Sequence, residues 1–484
     1  MLLIFFPIAN TDYAFLDEAH QLWHNRDGSD YSMFFVQGRW LTGVFLNYAY
    51  AQCQTIAQVK ILRIVSFLSW MLFLFEYFRL AHRWQKEIGF SNFLLLAGGV
   101  YIACAPSLAV YIGWAACFEV GIAHLLGLWS GHLFFVKFTA PGKKFQYFDW
   151  KTVGIISCSL ACLFLYQTAF GLFLLPFVFY LIGKRATLSS RLIRIAIGGY
   201  LALSALYYLF FHLSLKFSAY QPSDRTHITI DIPGKLGFFF SAPLSQAFSF
   251  NFLYDMHGIF SQALPIVVMI GWVAGTWFLD KTRPLRQLAF ISGFIGICIL
   301  IYAPLMIARE NFSSYRTMFM LNFSVTLMLL DTVLKLVNNR KPIAVSAFSL
   351  LFLVIGYFNF HHNFINPLAK EYQLVRNYFE DHYSENTKIV YFLRPPENLF
   401  HKPFGIQTYK DEFGLPSTFK DWVPEPLVRQ LILEKTNSRT VAEKVKIIQF
   451  VEHSPFEQEK NLNLADALYL DPESLLEKSP VRFR

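Results

Sequence analysis

Charge is scarce in this chain: only 15% of its 484 residues are Asp, Glu, Lys or Arg, against about 25% in an ordinary soluble protein. So few charges cannot cover a water-facing surface, and the bulk of the chain is expected to meet lipid. Cysteine is scarce as well. All six (Cys53, Cys104, Cys117, Cys158, Cys162 and Cys298) lie in or beside apolar runs and none in the polar C-terminal region, which predicts neither a disulfide framework nor a zinc site. The sequence also lacks a phosphate-cradling Gly-rich loop, an HExxH zinc motif and a nucleophile elbow. No internal repeat or low-complexity tract stands out, so an inverted-repeat transporter gains no support. The N-terminus shows neither a basic n-region nor a small-residue cleavage site. Its apolar stub, residues 1–9, is shorter than the roughly 20 residues needed to cross hydrocarbon. A first helix truncated by a missing upstream stretch is the favoured reading, with a half-inserted anchor as the other.

What the chain has instead is apolar area: 55% hydrophobic residues, with 53 Phe and 24 Tyr, side chains suited to acyl chains and interfaces. Spanning-length runs fall near 61–80, 92–110, 118–136, 152–168, 170–183, 192–213, 262–279, 287–306, 317–336 and 343–360. With the stub they predict an α-helical polytopic membrane protein of about ten or eleven transmembrane helices over residues 1–360. The net charge of +9 comes from short basic clusters between these runs rather than from one stripe, so it reads as topology and not as a nucleic-acid surface. Alternate loops carry sixteen Lys and Arg residues, among them Arg79, Arg83, Lys86, Lys137, Lys143, Lys144, Lys151, Arg185, Lys281, Arg283 and Arg286, whereas the opposite loops hold seven. Positive charge is retained on the cytoplasmic side. The loops 10–40 and 214–261 and the polar region 361–484 are then expected outside. In that last region 388–393 (KIVYFL) and 445–451 (VKIIQFV) read as strands between helical stretches, giving a small extramembrane α/β domain.

The densest polar stretch is the loop 10–40, where Asp12, Asp17, Glu18, His20, His24, Arg26, Asp27, Asp30 and Arg39 are interleaved with Tyr13, Phe15, Trp23 and Trp40. Carboxylates at a membrane surface can act as general bases or hold a divalent cation against a phosphate; a merely solvated loop is the alternative. Glu119, near Trp114 at the outer start of a span, is costly there unless it lines a cavity or has a partner. His124 and His132 share a helical face eight residues apart, and packing is the commoner fate of such histidines than metal ligation. The second long outer loop, with Asp224, Arg225, His227 and Asp231 followed by an aromatic-rich stretch, suits an interfacial helix or the wall of a substrate groove.

An Asp beyond the first apolar run, an Asp-Glu pair, an amphipathic stretch and then Gly38-Arg39-Trp40-Leu41 together resemble the GT-C superfamily of polyprenyl-phosphate-sugar-dependent glycosyltransferases. Within it the chain is most similar to the bacterial serotype-converting glucosyltransferases, whose Tyr-Gln element Tyr166-Gln167 also resembles. The motifs are short, and the likeness in topology covers roughly the first 360 residues. The acidic pair expected just after the first helix stands here as Thr11-Asp12, with Asp17-Glu18 five residues later. The resemblance implies a GT-C-like bundle and an inverting hexosyltransferase of the bacterial inner membrane. Its polyprenyl-phosphate donor would carry a sugar such as glucose, its acceptor would be a surface polysaccharide or glycolipid on the periplasmic side, and a divalent cation such as Mg or Mn is compatible. It makes Asp12, then Asp17 and Glu18, candidate bases, and Glu119, Tyr166 and Gln167 candidate substrate contacts. Arg39, Arg309 and Arg316 are candidates for the donor phosphate, because a guanidinium fork matches phosphate oxygens; each could equally be an interfacial Arg reaching water. Competing readings are a flippase or transporter of lipid-linked sugars and an O-antigen polymerase or ligase. Acidic residues clustered at the outer surface rather than at mid-bilayer favour the enzyme over the transporter.

Overall fold

The structure, a computed structural model, describes residues 1–25, 31–139, 149–184, 190–218, 227–250, 252–253, 258–279, 284–410, 412–462 and 464–479. Arg26, Asp27 and Asp30 of the first outer loop, Asp224 and Arg225 of the second, and Lys143, Lys144, Arg185, Lys281 and Arg283 of the basic clusters lie outside the described residues. Long apolar helices dominate. Among the described residues six helical stretches are long and apolar enough to cross a membrane, or seven if one bent pair counts as a span. The chain is thus a helical, multi-pass membrane protein.

The expected ten or eleven spans are reduced because apolar runs are not always unbroken helices. The run at 92–110 is two helices, Asn92–Cys104 and Pro106–Gly113, bent by 45°. Pro106 opens the second, where its missing N–H costs nothing, and it keeps Ala105 out of the helical region. The runs at 152–168 and 170–183 become Trp150–Leu165 and Gln167–Gly183, each under 18 residues, parted by Tyr166 in an extended conformation. Residues 1–9 form only a short helix, Leu2–Phe5, and a 3₁₀ turn, Phe6–Ala9. The last two runs are two separate helices, Tyr315–Val337 and Lys341–Phe360, turned at Asn338 (φ +38), and a π-helical turn at His361–Ile365 leads from the second into Asn366–His382.

Local signals set the helix ends. Thr55 and Ser91 accept from the first-turn amides of Ile56–Ile88 and Asn92–Cys104. Gly89, at φ +88, closes the former in the left-handed conformation that glycine tolerates. Segment Ala115–Thr139 occupies the centre, with 67% of its apolar window buried, while Arg191–Ser218 and Ile259–Leu279, at 22%, face outward. Glycine permits that central packing: a Cβ on Gly127 would lie 2.7 Å from the Ala169 carbonyl.

The polar C-terminal region contains a parallel three-stranded sheet, β1 (Ile389–Leu393), β2 (Lys446–Phe450) and β3 (Ala467–Leu470), in the order β2-β1-β3. Tyr391 sits between Ile448 and Tyr469, and helices make the crossovers, as parallel pairing requires. Both expected strands are present; β3 is an addition. This unit grips the N-terminal loop and one end of the bundle. The Ser417 hydroxyl donates to Ala14 O at 2.9 Å, and the Ile56 amide donates to Glu434 at 2.8 Å. At the other end, Lys335 donates to Ile182 O, and His132 lies in the field of Arg83, Arg79 and Lys151. Among the described residues, the N-terminal loop and the C-terminal unit thus meet at one end of the fold, and Arg79, Arg83, Lys151 and Lys335 lie at the other.

Candidate active site

Four separated stretches meet where the bundle faces the C-terminal unit. Arg39, at the N-cap of helix Trp40–Ala51, donates from Nε to Leu165 O at 3.2 Å. It lies over the Tyr166 ring at 4.8 Å and the Phe34 ring at 5.3 Å, and its Nη2 stands 3.5 Å from Glu119. The broken helix at Tyr166 makes this possible: with Tyr166 extended, Leu165 O is free to accept both Arg39 and the Thr42 hydroxyl, the latter at 2.6 Å. Gln167 fixes the same corner, donating to Gln37 O and to the Tyr207 hydroxyl, both at 2.9 Å.

Arg316 approaches from the start of helix Tyr315–Val337. Its guanidinium lies 4.4 Å from the centre of the Trp114 ring, its Nε donates to Glu412 at 2.6 Å, and its carbonyl accepts the Tyr111 hydroxyl. Arg39 and Arg316 both bear electrostatically on Tyr166 and Cys117. Two cations and three aromatic rings, those of Trp114, Tyr111 and Tyr166, thus surround one corner with Glu119 in it. Glu119 is wholly buried; Arg39 and the Thr42 hydroxyl bear on it, the latter engaged by Leu165 O, and neither carboxylate oxygen is closely hydrogen-bonded, while the buried Trp114 Nε1 has no acceptor.

The three candidate bases part company. Glu18 is buried and fully used: Oε2 accepts the Phe15 amide at 2.8 Å and Arg63 Nη2, and Oε1 accepts the Ala115 amide at 2.6 Å. Burial pushes its carboxyl above the usual carboxylate range, against the pull of Arg63 and the two amides. These three hydrogen bonds hold the loop on the bundle. Asp12 lies 3.5 Å from Lys60, with both side chains about one third exposed. Asp17 accepts the Trp422 indole N–H at 2.9 Å, and its charge bears on Arg316. Arg309 is exposed; its amide pairs with His227 O and its carbonyl with Lys235, and nothing links it to the corner.

Reading the sequence passes over two residues. Glu412 lies in a polar region without pattern and offers no signal. Arg63 does offer one: a lone cation within an apolar run is costly without a partner, and its partner is the Glu18 of the acidic loop. His124 and His132 are packed, His124 Nδ1 lying 2.8 Å from Val120 O and His132 Nδ1 accepting the Trp84 indole N–H at 3.0 Å. Among the described residues no group of three or more His, Cys, Asp or Glu side chains is placed to hold a metal ion. Comparison with protein-family models, curated proteins and solved structures finds no match to this chain.

Proposed function

We propose that this chain is a GT-C-type inverting glycosyltransferase of the bacterial inner membrane, taking a sugar from a polyprenyl-phosphate donor and passing it to a surface polysaccharide or glycolipid. The C-terminal unit then lies on the periplasmic side. One observation carries the reading: Arg39 and Arg316 converge on Tyr166 beside the buried Glu119, whose oxygens are not closely hydrogen-bonded. In such a reaction the acceptor hydroxyl forms a bond to the anomeric carbon, the bond from that carbon to the phosphate oxygen breaks, and the polyprenyl phosphate leaves. The hydroxyl proton must pass to a base. The guanidinium groups would neutralise charge growing on the leaving phosphate. Glu119 and the Tyr166 and Trp114 rings would meet sugar hydroxyls and a sugar face. Asp17 takes the role of base in place of Asp12, because Asp12 is paired with Lys60 and Glu18 with Arg63, whereas Asp17 lies where its charge bears on Arg316.

The test is transfer by the purified protein from a panel of polyprenyl-phosphate sugars to extracted surface polymer. Transfer lost in Asp17→Asn, with membrane expression retained, is the expected result. Donor movement across liposomes without transfer would replace the enzyme with a flippase.

A further inference from the structure

A hairpin of the C-terminal unit reaches into the bundle at the candidate site. Tyr409 and Phe413 close it, the Tyr409 amide donating to Phe413 O at 2.9 Å. Lys410, at φ +54, and Gly414, at φ +67, give it its shape; the first is a conformation that a side-chain-bearing residue adopts at a cost. From this hairpin Glu412, 1% exposed, accepts the Tyr315 amide at 2.6 Å, the Arg316 amide at 3.4 Å and Arg316 Nε at 2.6 Å. Two amides at the start of a 23-residue helix beside a guanidinium form the donor arrangement that binds phosphate elsewhere in proteins.

The donors outnumber what the carboxylate uses. Nε alone of the Arg316 guanidinium hydrogen-bonds to Glu412, and the Trp114 Nε1 under that guanidinium has no acceptor. A phosphate, with more oxygens than a carboxylate, could engage this surplus. We infer that the N-terminus of helix Tyr315–Val337 and Arg316 form a phosphate-binding site, which the chain itself closes with Glu412. The hairpin is a lid, latched to the bundle by Lys410 Nζ on Ser313 Oγ at 3.0 Å and by Phe413 set edge-on to Tyr315 at 5.2 Å. This rests on the proposed function for the source of the phosphate, the headgroup of the lipid donor, and adds that the donor must displace Glu412.

The experiment titrates the full chain in detergent with inorganic phosphate, and separately with a short-chain polyprenyl phosphate, by calorimetry. Glu412→Gln keeps the shape and removes the competing charge; it should bind both about tenfold more tightly, a difference of about 1.4 kcal/mol. Arg316→Ala in that background should cancel the gain. Lys410→Ala loosens the latch but also removes a cation that bears on Glu412, and should give a smaller gain of about threefold; it carries the test if Glu412→Gln does not fold. Folded Glu412→Gln and Lys410→Ala proteins that bind phosphate no better than the parent would overturn the inference, as would an equal gain for chloride. A gain for inorganic phosphate but none for the lipid would mark a free-phosphate site and overturn the donor assignment. Tighter binding in a protein that transfers no sugar would leave the lid standing and remove the enzyme reading; transfer with no gain in either variant would do the reverse.

Discussion

Two buried glutamates, Glu18 and Glu119, each stand beside an arginine near the same end of the fold, and they are held in opposite ways. Glu18 takes two backbone amides and Arg63, whose guanidinium also stacks on Tyr13 at 3.6 Å and donates to Tyr13 O at 2.8 Å. Glu119 has Arg39 at 3.5 Å, outside hydrogen-bonding geometry, and a weaker influence from the Thr42 hydroxyl, which is engaged by Leu165 O. The same residue pair is a brace where the carboxylate is closely hydrogen-bonded and a looser charge pair where it is not. Burial alone therefore does not separate structural from reactive carboxylates; the state of their lone pairs does.

The sharpest break in this comparison is Glu18→Ala, which strands Arg63 in a buried setting and should cost about 3–5 kcal/mol, read as a large fall in Tm and in membrane expression. Glu119→Gln should leave Tm almost unchanged and lower transfer by about tenfold to a hundredfold, as expected when a preorganised charge is removed from a transition state. A Tm loss at Glu119 as large as that at Glu18 would erase the distinction. Arg39→Lys keeps the charge but loses the planar fork over Tyr166; donor KM should rise about fivefold to tenfold with less effect on kcat. The smallest effect is expected at Asp12→Asn, where a part-exposed pair with Lys60 is worth about 0–1 kcal/mol and transfer should be retained. Loss of transfer there, and not at Asp17, would return the role of base to Asp12.

Membrane character and two of the three strands are legible in the sequence because they depend on local composition and alternation. The span count is less so. An apolar run does not reveal that Pro106 or an extended Tyr166 divides it, since the break is decided by what packs alongside. β3, only four residues long, is recruited by the edge of β1 rather than by its own pattern. In the candidate site, Arg39, Glu119, Tyr166 and Gln167 each stand out as polar residues at the margins of apolar segments, and the fold brings the four together. The competition among Asp12, Asp17 and Glu18 is invisible in one dimension: their contrast comes from Lys60, Trp422 and Arg63, which lie 48, 405 and 45 positions away.

The π-helical turn His361–Ile365 joins Lys341–Phe360 to Asn366–His382 without a break, so the C-terminal unit is mounted on a rigid shaft and not on a tether. Its Asn363 carbonyl accepts the Gly414 amide at 2.9 Å, which ties that shaft to the base of the Glu412 hairpin. In an α-helix each residue turns the axis by about 100°, and a π turn carries one residue more than the α-helix it interrupts. The surplus residue is absorbed within the turn, so removing one residue between 361 and 365 would let it close as an ordinary α-helical turn with the hairpin still facing the bundle, whereas removing one residue from the regular helix Lys341–Phe360 would rotate Asn366–His382 by about 100° and point the hairpin away.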